Sequence, residues 1–168
     1  MPIKIKTLSI SGIRGVQKTI EIPLSEKSIL IYGDNGTGKS SISDSLEWFF
    51  NNDVKHLSGS EIDLKDALRN SNITQSEISS VKIDFTNPNL ASTKSLGFKK
   101  DKLTTDNSNK SDEFNTYLNN TQNENLILRH QFLTEFIDKT KGDKLKSLSD
   151  VIGFSEVNKI KEVLKKSY

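Results

Sequence analysis

The stretch IYGDNGTGKSS, residues Ile31 to Ser41, decides how the rest of this chain is interpreted. From Gly33 to Ser40 it fits the pattern G-x-x-x-x-G-K-[ST] of phosphate-binding loops. In such loops several backbone N–H groups converge on phosphate oxygens, and glycine permits the close approach and positive φ that this wrapping needs. The helix that follows directs the positive end of its dipole at the anion. The stretch therefore predicts a nucleotide phosphate site.

The elements on either side of the loop favour a true phosphate site over a chance glycine-rich turn. The run SILIY, Ser28 to Tyr32, is continuously apolar and predicts a strand that is buried on both faces. A helix is predicted from Lys39 to Phe50, with apolar residues at helical spacing on one face, namely Ile42, Leu46, Phe49 and Phe50. A strand before the loop and a helix after it are the context in which this motif works.

The chemistry of the loop assigns roles to its residues. Lys39 is placed to reach the β and γ phosphates, and the Ser40 hydroxyl is placed to bind Mg²⁺. ATP and Mg²⁺ are therefore the expected cofactors. The residues expected to contact the nucleotide are Asn35, Gly36, Thr37, Gly38, Lys39, Ser40 and Ser41.

Length and composition limit the remaining possibilities. The 168 residues fit one domain with its own core, but 33% hydrophobic residues is polar for a compact domain. Part of the chain is therefore expected to be loop or surface that awaits a partner. A net charge of +2 does not by itself indicate nucleic-acid binding, and the lack of cysteine excludes disulfides and thiolate zinc sites. No signal peptide or membrane-spanning run is visible, so we expect a soluble, cytoplasmic protein with no membrane partner.

Alternating patterns predict several strands around the loop. IKIKTLSISGIRG predicts a half-buried strand that ends at Gly12 or Gly15. KTIEIPL predicts a second strand that forms a hairpin with the first, and its Pro23 indicates an edge or an end. VKIDF predicts a strand with which SLGFKKDKL pairs.

The other segments are predicted to be helices and one exposed loop. EIDLKDALRN indicates a short helix, and TTDNSNKSDEF, the most polar segment, indicates an exposed loop. Near the end of the sequence GDKLKSLSDVIGF and SEVNKIKEVLKKS are amphipathic and predict helices, the second with Ser155 as its N-cap.

The loop also carries a family resemblance. GDNGTGKS has the form G-x-N-G-x-G-K-S and resembles the Walker A loop of ABC-type ATPases, especially the SMC, RecF and RecN group with long coiled coils. Ile13-Arg14-Gly15 matches the "fRg"-like turn that follows the first strand of these proteins. The resemblance implies an α/β P-loop NTPase fold, namely the N-terminal lobe of an SMC-like ATPase head with a mixed β-sheet and C-terminal helices. It also implies that Arg14 lies near the nucleotide.

The same resemblance assigns a further catalytic residue and a domain division. The family carries a Q-loop glutamine that binds Mg²⁺ and orients the attacking water, and Gln131 in LILRHQFLTEF matches it, although Phe132 follows where the family often has glycine. Lys39 and Gln131 are thus the implied catalytic residues, and Ser40 and Gln131 the implied metal ligands. Residues 1–154 would form the head lobe, and residues 155–168 the start of a coiled coil or connecting helix.

An ABC-type head also needs a signature motif and a Walker B acid. Three short stretches of this chain resemble nucleotide-site motifs, but none of them supplies these parts. LSGSE resembles the signature motif but precedes the Q-loop candidate, and Asp84 in VKIDF lacks the apolar run of a Walker B strand. NKSD, Asn109 to Asp112, fits a guanine-reading motif without the strand that should lead into it. We therefore expect the N-terminal half of a split head, which alone would be a poor ATPase.

Two functions from different classes follow from these patterns. The first is what the family resemblance implies: the ATP-binding half of an SMC-like ATPase that acts on DNA in repair, chromosome maintenance or anti-phage defence. Its partner would be the C-terminal half of the same ATPase or a second head that dimerises on ATP binding. The alternative is a stand-alone nucleotide-binding regulatory module without hydrolysis. A small P-loop kinase is less favoured, because such enzymes need an arginine-rich lid and this chain has only three arginines.

Overall fold

The computed structural model describes residues 2–57, 61–122, 134, 136–145 and 165. The chain divides into two units, Met1–Gln122 and Asn123–Tyr168. The elements of the first unit, in chain order, are β1 (Ile5–Ser11), β2 (Ile20–Pro23), α1 (Lys39–Asn51), α2 (Leu64–Leu68), β3 (Ser79–Phe85), a 3₁₀ turn (Pro88–Leu90), β4 (Ser92–Lys99), β5 (Lys102–Asn107) and α3 (Asp112–Gln122).

The five strands form one sheet in the order β2-β1-β3-β4-β5. Every pairing between these described strands is antiparallel, so the parallel component expected of a mixed sheet is not among them. The predicted hairpin of β1 and β2 is confirmed, with Leu8 opposite Ile22. Pro23 ends β2 at the edge of the sheet, where its lack of an N–H costs no ladder hydrogen bond.

The core lies between one face of this sheet and the helices α1 and α3. Alternate residues of the strands point into it, because successive side chains of a strand face opposite sides. On α1, Trp48, Phe49 and Phe50 are buried, and Phe49 packs edge to face on Phe114 of α3 at 6.2 Å between ring centroids. The aromatic end of α1 is thereby fixed against the sheet, and the predicted helix is confirmed.

The prediction of an exposed loop at TTDNSNKSDEF is wrong. Its first residues pair with β4 as part of β5, and α3 begins at Asp112. Between the two, the Asn109 Nδ2 donates to the carbonyls of Asn89 at 2.7 Å and Ala91 at 3.1 Å. The polar side chains that make this segment resemble a loop instead satisfy backbone groups, and pairing with a neighbouring strand overrides local composition.

The prediction of a strand at Ser28 to Tyr32 is also wrong. The segment is not part of the sheet, and Leu30 and Tyr32 are 88% and 90% exposed. A strand that is buried on both faces needs a partner on each side, whereas the described sheet ends at β2 and at β5. An apolar segment is therefore exposed immediately before the phosphate loop.

The described part of the second unit contains the start of a helix at residues 141–145. Thr140 Oγ1 donates to Asp143 Oδ2 at 2.6 Å, and the Asp143 N–H donates back to Thr140 Oγ1 at 3.3 Å. The Thr140 hydroxyl thus satisfies one N–H group, that of Asp143, at the start of a helix. Gln131, the predicted helix from Ser155 and the predicted boundary between 154 and 155 lie outside the described residues. Among the helices described, none is long and apolar enough to cross a membrane.

A buried lysine joins the sheet to the carboxyl end of α1. Lys94 of β4 is 1% exposed, and its Nζ donates to the carbonyls of Trp48 and Phe49 and to Asn52 Oδ1. The same ammonium lies 4.9 Å from the centre of the Trp48 ring. The last carbonyls of a helix have no partner within it and carry partial negative charge, so a cation there is stabilising. Burial nevertheless lowers the pKa of Lys94 to about 7.

Lys94 is therefore expected to make the stability of the fold depend on pH above neutrality. An unfolded lysine has a pKa of about 10.4. Between pH 7 and about 10 Lys94 is therefore protonated in the unfolded state and mostly neutral in the folded state. The free energy of unfolding should then rise with pH, by up to about 1.4 kcal/mol per unit. Lys94→Met should remove this rise, as measured by urea unfolding at several pH values. Lys82→Met, at a half-exposed site on β3, is the control, and an unchanged slope in Lys94→Met would contradict the assignment.

The exposed segment before the loop should bind a hydrophobic dye. Leu30→Ser together with Tyr32→Ser should reduce the fluorescence of 8-anilinonaphthalene-1-sulfonate bound to the protein, because these are the most exposed large apolar side chains among the described residues. The free energy of unfolding should change by less than about 0.5 kcal/mol, since neither side chain is buried. Ile62→Ser, at a site that is 62% exposed, is the control and should leave most of the fluorescence. A clear loss of stability in the double variant would show that the segment packs in solution.

Candidate functional site

The phosphate loop is shaped by two glycines and closed by a threonine. Gly36 and Gly38 have φ of 88° and 90°, a region that side chains disfavour. The Thr37 hydroxyl donates to the carbonyl of Asp34 at 2.9 Å and closes the turn. Gly38 is the N-cap of α1 and offers no side-chain hydrogen bond to the first turn. The amino end of the helix is thus left without a side-chain cap, as anion binding requires.

Lys39 and Ser40 occupy the first turn of α1. The Lys39 Nζ donates to the carbonyls of Gly33 at 2.7 Å and Asp34, which places its charge over the backbone of the loop. Ser40 is exposed on the wall of the cleft. A cation, a helix amino terminus and an accessible hydroxyl therefore occur within one turn.

The loop forms one wall of a cleft of about 570 Å³. The other wall comes from the turn after β1 and from the end of α2. The lining residues are Arg14, Gly15, Asn35, Gly36, Gly38, Lys39, Ser40, Ser41, Asp66, Ala67, Arg69 and Ser71. Most predicted site residues thus meet in one cleft. Thr37 belongs to the loop but does not line the cleft, and Gln131 lies outside the described residues. The roles of all these residues stay predictions.

The turn after β1 approaches the loop closely because Gly15 has no side chain. A Cβ at Gly15 would lie 3.2 Å from Ser41 Oγ and 3.5 Å from the Cα of Gly38. The Gly15 N–H donates to Ser41 Oγ at 3.0 Å, and Ser41 itself is buried. The Ser41 hydroxyl therefore holds the turn against α1, and its predicted contact with nucleotide stays a prediction.

Arg14 is held at the rim of the cleft by both its backbone and its side chain. Its φ is 45°, its N–H donates to the Leu68 carbonyl at 2.8 Å, and its own carbonyl accepts from Asn70 Nδ2. Its Nε contacts Asp44 Oδ2 at 2.9 Å, with the arginine side chain 30% exposed and the carboxylate fully buried. Arg14 thus lines the cleft beside the phosphate loop, and its implied position near the nucleotide stays a prediction.

Asp44 belongs to a buried group of acids beside His56. The Asp44, Glu47 and His56 side chains offer atoms that lie within 4.8 Å of one another. His56 Nε2 is 3.8 Å from Asp44 Oδ2, and the Lys55 N–H donates to Glu47 Oε1 at 2.9 Å. Arg14 already supplies a positive charge to this group, so we interpret it as an ion-pair network and not as a metal centre.

Arg69 also lines the cleft, but its guanidinium is engaged elsewhere. Nη2 donates to the carbonyls of Thr74 at 2.6 Å and Glu77 at 2.8 Å, and the group lies 5.2 Å from the centre of the Phe98 ring. It therefore orders the segment between α2 and β3. Lys39 and Arg14 are the cations of the lining that lie beside the phosphate loop.

Several residues in and around this cleft are not predicted by the sequence patterns. Asp44 could have been found, because it lies four residues after Ser40 on a predicted helix and so shares a face with it. Asp66, Ala67 and Ser71 reach the cleft only through the packing of α2 beside the turn after β1, and no local pattern indicates this.

Comparison with known proteins agrees with this fold. A solved SMC ATPase head has the same fold, with a TM-score of 0.65 and 17% sequence identity over 88% of this chain and 99% of the solved chain. It was described in work on the structural biochemistry of ATP-driven dimerization and DNA stimulated activation of SMC ATPases. At this identity the likeness shows the fold alone, that of a P-loop NTPase. No curated protein gave a match.

The family itself is shown by a match along most of the chain. The model of the RecF/RecN/SMC N terminal domain matches residues 4–141, which include the phosphate loop, the sheet and the turn that carries Arg14. The predicted relationship is confirmed, and with it the α/β fold class. The chain belongs to the RecF/RecN/SMC N-terminal domain family.

Proposed function

We propose that this chain is the ATP-binding N-terminal part of an SMC-like ATPase head, with ATP and Mg²⁺ bound in the cleft beside the phosphate loop. The observation that carries this proposal is the meeting of Lys39, Arg14 and the uncapped amino end of α1 around one cleft. Each of the three is positive, and together they match the charge of a triphosphate. Family membership supports the choice of a nucleotide over other anions.

The residues present fit the two cofactors. Lys39 would exchange its contacts with the loop carbonyls for phosphate oxygens, because those contacts already place the ammonium over the loop. Ser40 would offer its hydroxyl to Mg²⁺, and its exposure on the cleft wall supports this role. Gln131 is proposed as the second metal ligand on the family resemblance. Asn35, Gly36, Thr37 and Gly38 would contribute loop N–H groups.

The partner proposed is the C-terminal half of the same ATPase, or a second head that joins on ATP binding. The exposed apolar segment around Leu30 and Tyr32 supports this, because a strand added beside it would bury its side chains and pair its backbone. The structurally similar protein was described in connection with ATP-driven dimerisation. Residues 1–154 would then be the head lobe and residues 155–168 the start of the connecting helix or coiled coil. On the basis of the family resemblance, we propose that the assembled ATPase acts on DNA.

Hydrolysis is proposed to depend on that partner. Phosphoryl transfer to water needs an in-line water and groups that orient it, besides the phosphate loop and Mg²⁺. The sequence offers no convincing Walker B acid or signature motif, so this chain alone should bind ATP and turn it over slowly.

Lys39→Ala should abolish tight ATP binding. The ammonium is the principal charge at the loop, and a charge-assisted contact of this kind contributes about 1.5–3 kcal/mol, or about 10- to 150-fold in affinity. Isothermal titration calorimetry with ATP and Mg²⁺ measures the effect. Lys82→Ala, at a surface site on β3, is the control. Equal affinity in Lys39→Ala and the native protein would refute the assignment of the site.

Ser40→Ala should instead remove the dependence of binding on Mg²⁺. The native protein should bind ATP more tightly with Mg²⁺ than with EDTA, because the metal joins the hydroxyl to the phosphates. In Ser40→Ala the two affinities should approach each other, while affinity in EDTA stays within about twofold of the native value. Ser43→Ala, on the same helix, is the control. A full Mg²⁺ effect in Ser40→Ala would exclude this hydroxyl as a ligand.

A further inference from the structure

A buried carboxylate of α1 lies behind the arginine at the rim of the cleft. Asp44 is fully buried and its Oδ2 lies 2.9 Å from Nε of Arg14. A buried carboxylate is costly unless it is paired, and Arg14 is a partner that also lines the cleft. We propose that Asp44 is a positioning residue of the nucleotide site, which fixes the Arg14 guanidinium where it meets a phosphate. This inference rests on the proposed function.

The backbone of Arg14 is fixed independently of its side chain. Residues with positive φ other than glycine persist where the surroundings over-determine them, and they cluster at functional sites. At Arg14 the N–H is bound to the carbonyl of Leu68 and the carbonyl is bound to Asn70 Nδ2. The neighbouring Gly15 N–H is bound to Ser41 Oγ. The Cα of Arg14 therefore has a set position between α1 and α2, and Asp44 sets the direction in which the side chain leaves it.

The contact with Asp44 uses the part of the guanidinium that a phosphate does not need. Nε carries one of the five N–H donors of arginine, and the other four are on the Nη atoms of the planar fork. The ion pair with Asp44 is made at Nε and favours one orientation of the fork, and the side chain is partly exposed at the rim. An arginine that is ordered before binding loses less conformational entropy when the ligand arrives. Asp44 would thus strengthen phosphate binding without touching the phosphate.

Positioning by Asp44 and a purely electrostatic effect predict opposite changes in the affinity for ATP. Asp44→Asn removes one negative charge near an anion site, and Coulomb attraction alone would then make ATP bind more tightly. Positioning predicts weaker binding, because the amide holds the guanidinium less firmly than the carboxylate does. A residue needed only for folding would act equally with and without Arg14.

The test is a double-mutant cycle read by isothermal titration calorimetry with ATP and Mg²⁺. Asp44→Asn and Arg14→Gln should each weaken ATP binding by about tenfold, and the double variant should be no weaker than Arg14→Gln alone. Glu47→Gln is the matched control, since it also converts a buried carboxylate of α1 to an amide and should leave affinity within about twofold. Equal or tighter binding in Asp44→Asn, or a further loss in the double variant, would overturn the proposal.

A second variant covers the case in which Asp44→Asn does not fold. Arg14→Lys keeps the positive charge at a partly exposed site but removes both Nε and the planar fork. It should lose about as much affinity as Arg14→Gln, and affinity equal to that of the native protein would overturn the proposal. The Lys39→Ala variant distinguishes a failure of the proposed function from a failure of this inference. If the native protein does not bind ATP, or Lys39→Ala binds it equally, the proposed function fails. If Lys39 matters and neither Asp44 nor Arg14 does, this inference alone fails.

Discussion

The fixed position of α1 against the antiparallel sheet is the constraint on which the site depends. At the carboxyl end of the helix the Lys94 ammonium binds two backbone carbonyls and Asn52 Oδ1. In the middle, Phe49 and Trp48 are buried in the core. A helix is stiff along its axis, so fixing its far end also fixes the turn that carries Lys39. The phosphate loop is therefore followed by a helix whose position is fixed, and it is preceded by an exposed segment.

The turn after β1 connects that support to the opposite wall of the cleft. Gly15 contacts the first turn of α1 through Ser41, and Arg14 contacts its second turn through Asp44. The same turn is bound to the end of α2 through Leu68. Two helices that are distant in sequence, α1 and α2, thus both contact this one short turn. The matching arginine and glycine therefore have structural roles in this chain. Gly15 leaves room for the close approach to Ser41 and Gly38, and Arg14 pairs with the buried Asp44.

Local patterns were sufficient to predict the parts of the fold that depend on short-range physics. The hairpin of β1 and β2, the helix after the loop, and the short helix α2 all follow from alternation, spacing and chain punctuation, and the structure confirms them. The two errors have a common origin in pairing. Thr104 to Asn107 form a strand because β4 lies beside them, although their composition is that of a loop. Ser28 to Tyr32 have the composition of a buried strand but no strand beside them in the described sheet. Pairing is decided by tertiary context, which a local pattern does not contain.

The position of the described sheet along the chain has a consequence for the order in which the protein forms during synthesis. Every strand pairing of the described sheet, and the buried helices that cover it, lie between Ile5 and Gln122. β1 pairs with β3 across the segment that contains β2, α1 and α2, so the two parts of the sheet join only after β3 has been made. Units whose contacts all lie within one stretch of chain fold as they leave the ribosome. The sheet, α1 and the turn with Arg14 can therefore be in place while later residues are still being translated. The phosphate loop would then be shaped before any partner strand is available to cover the apolar residues that precede it.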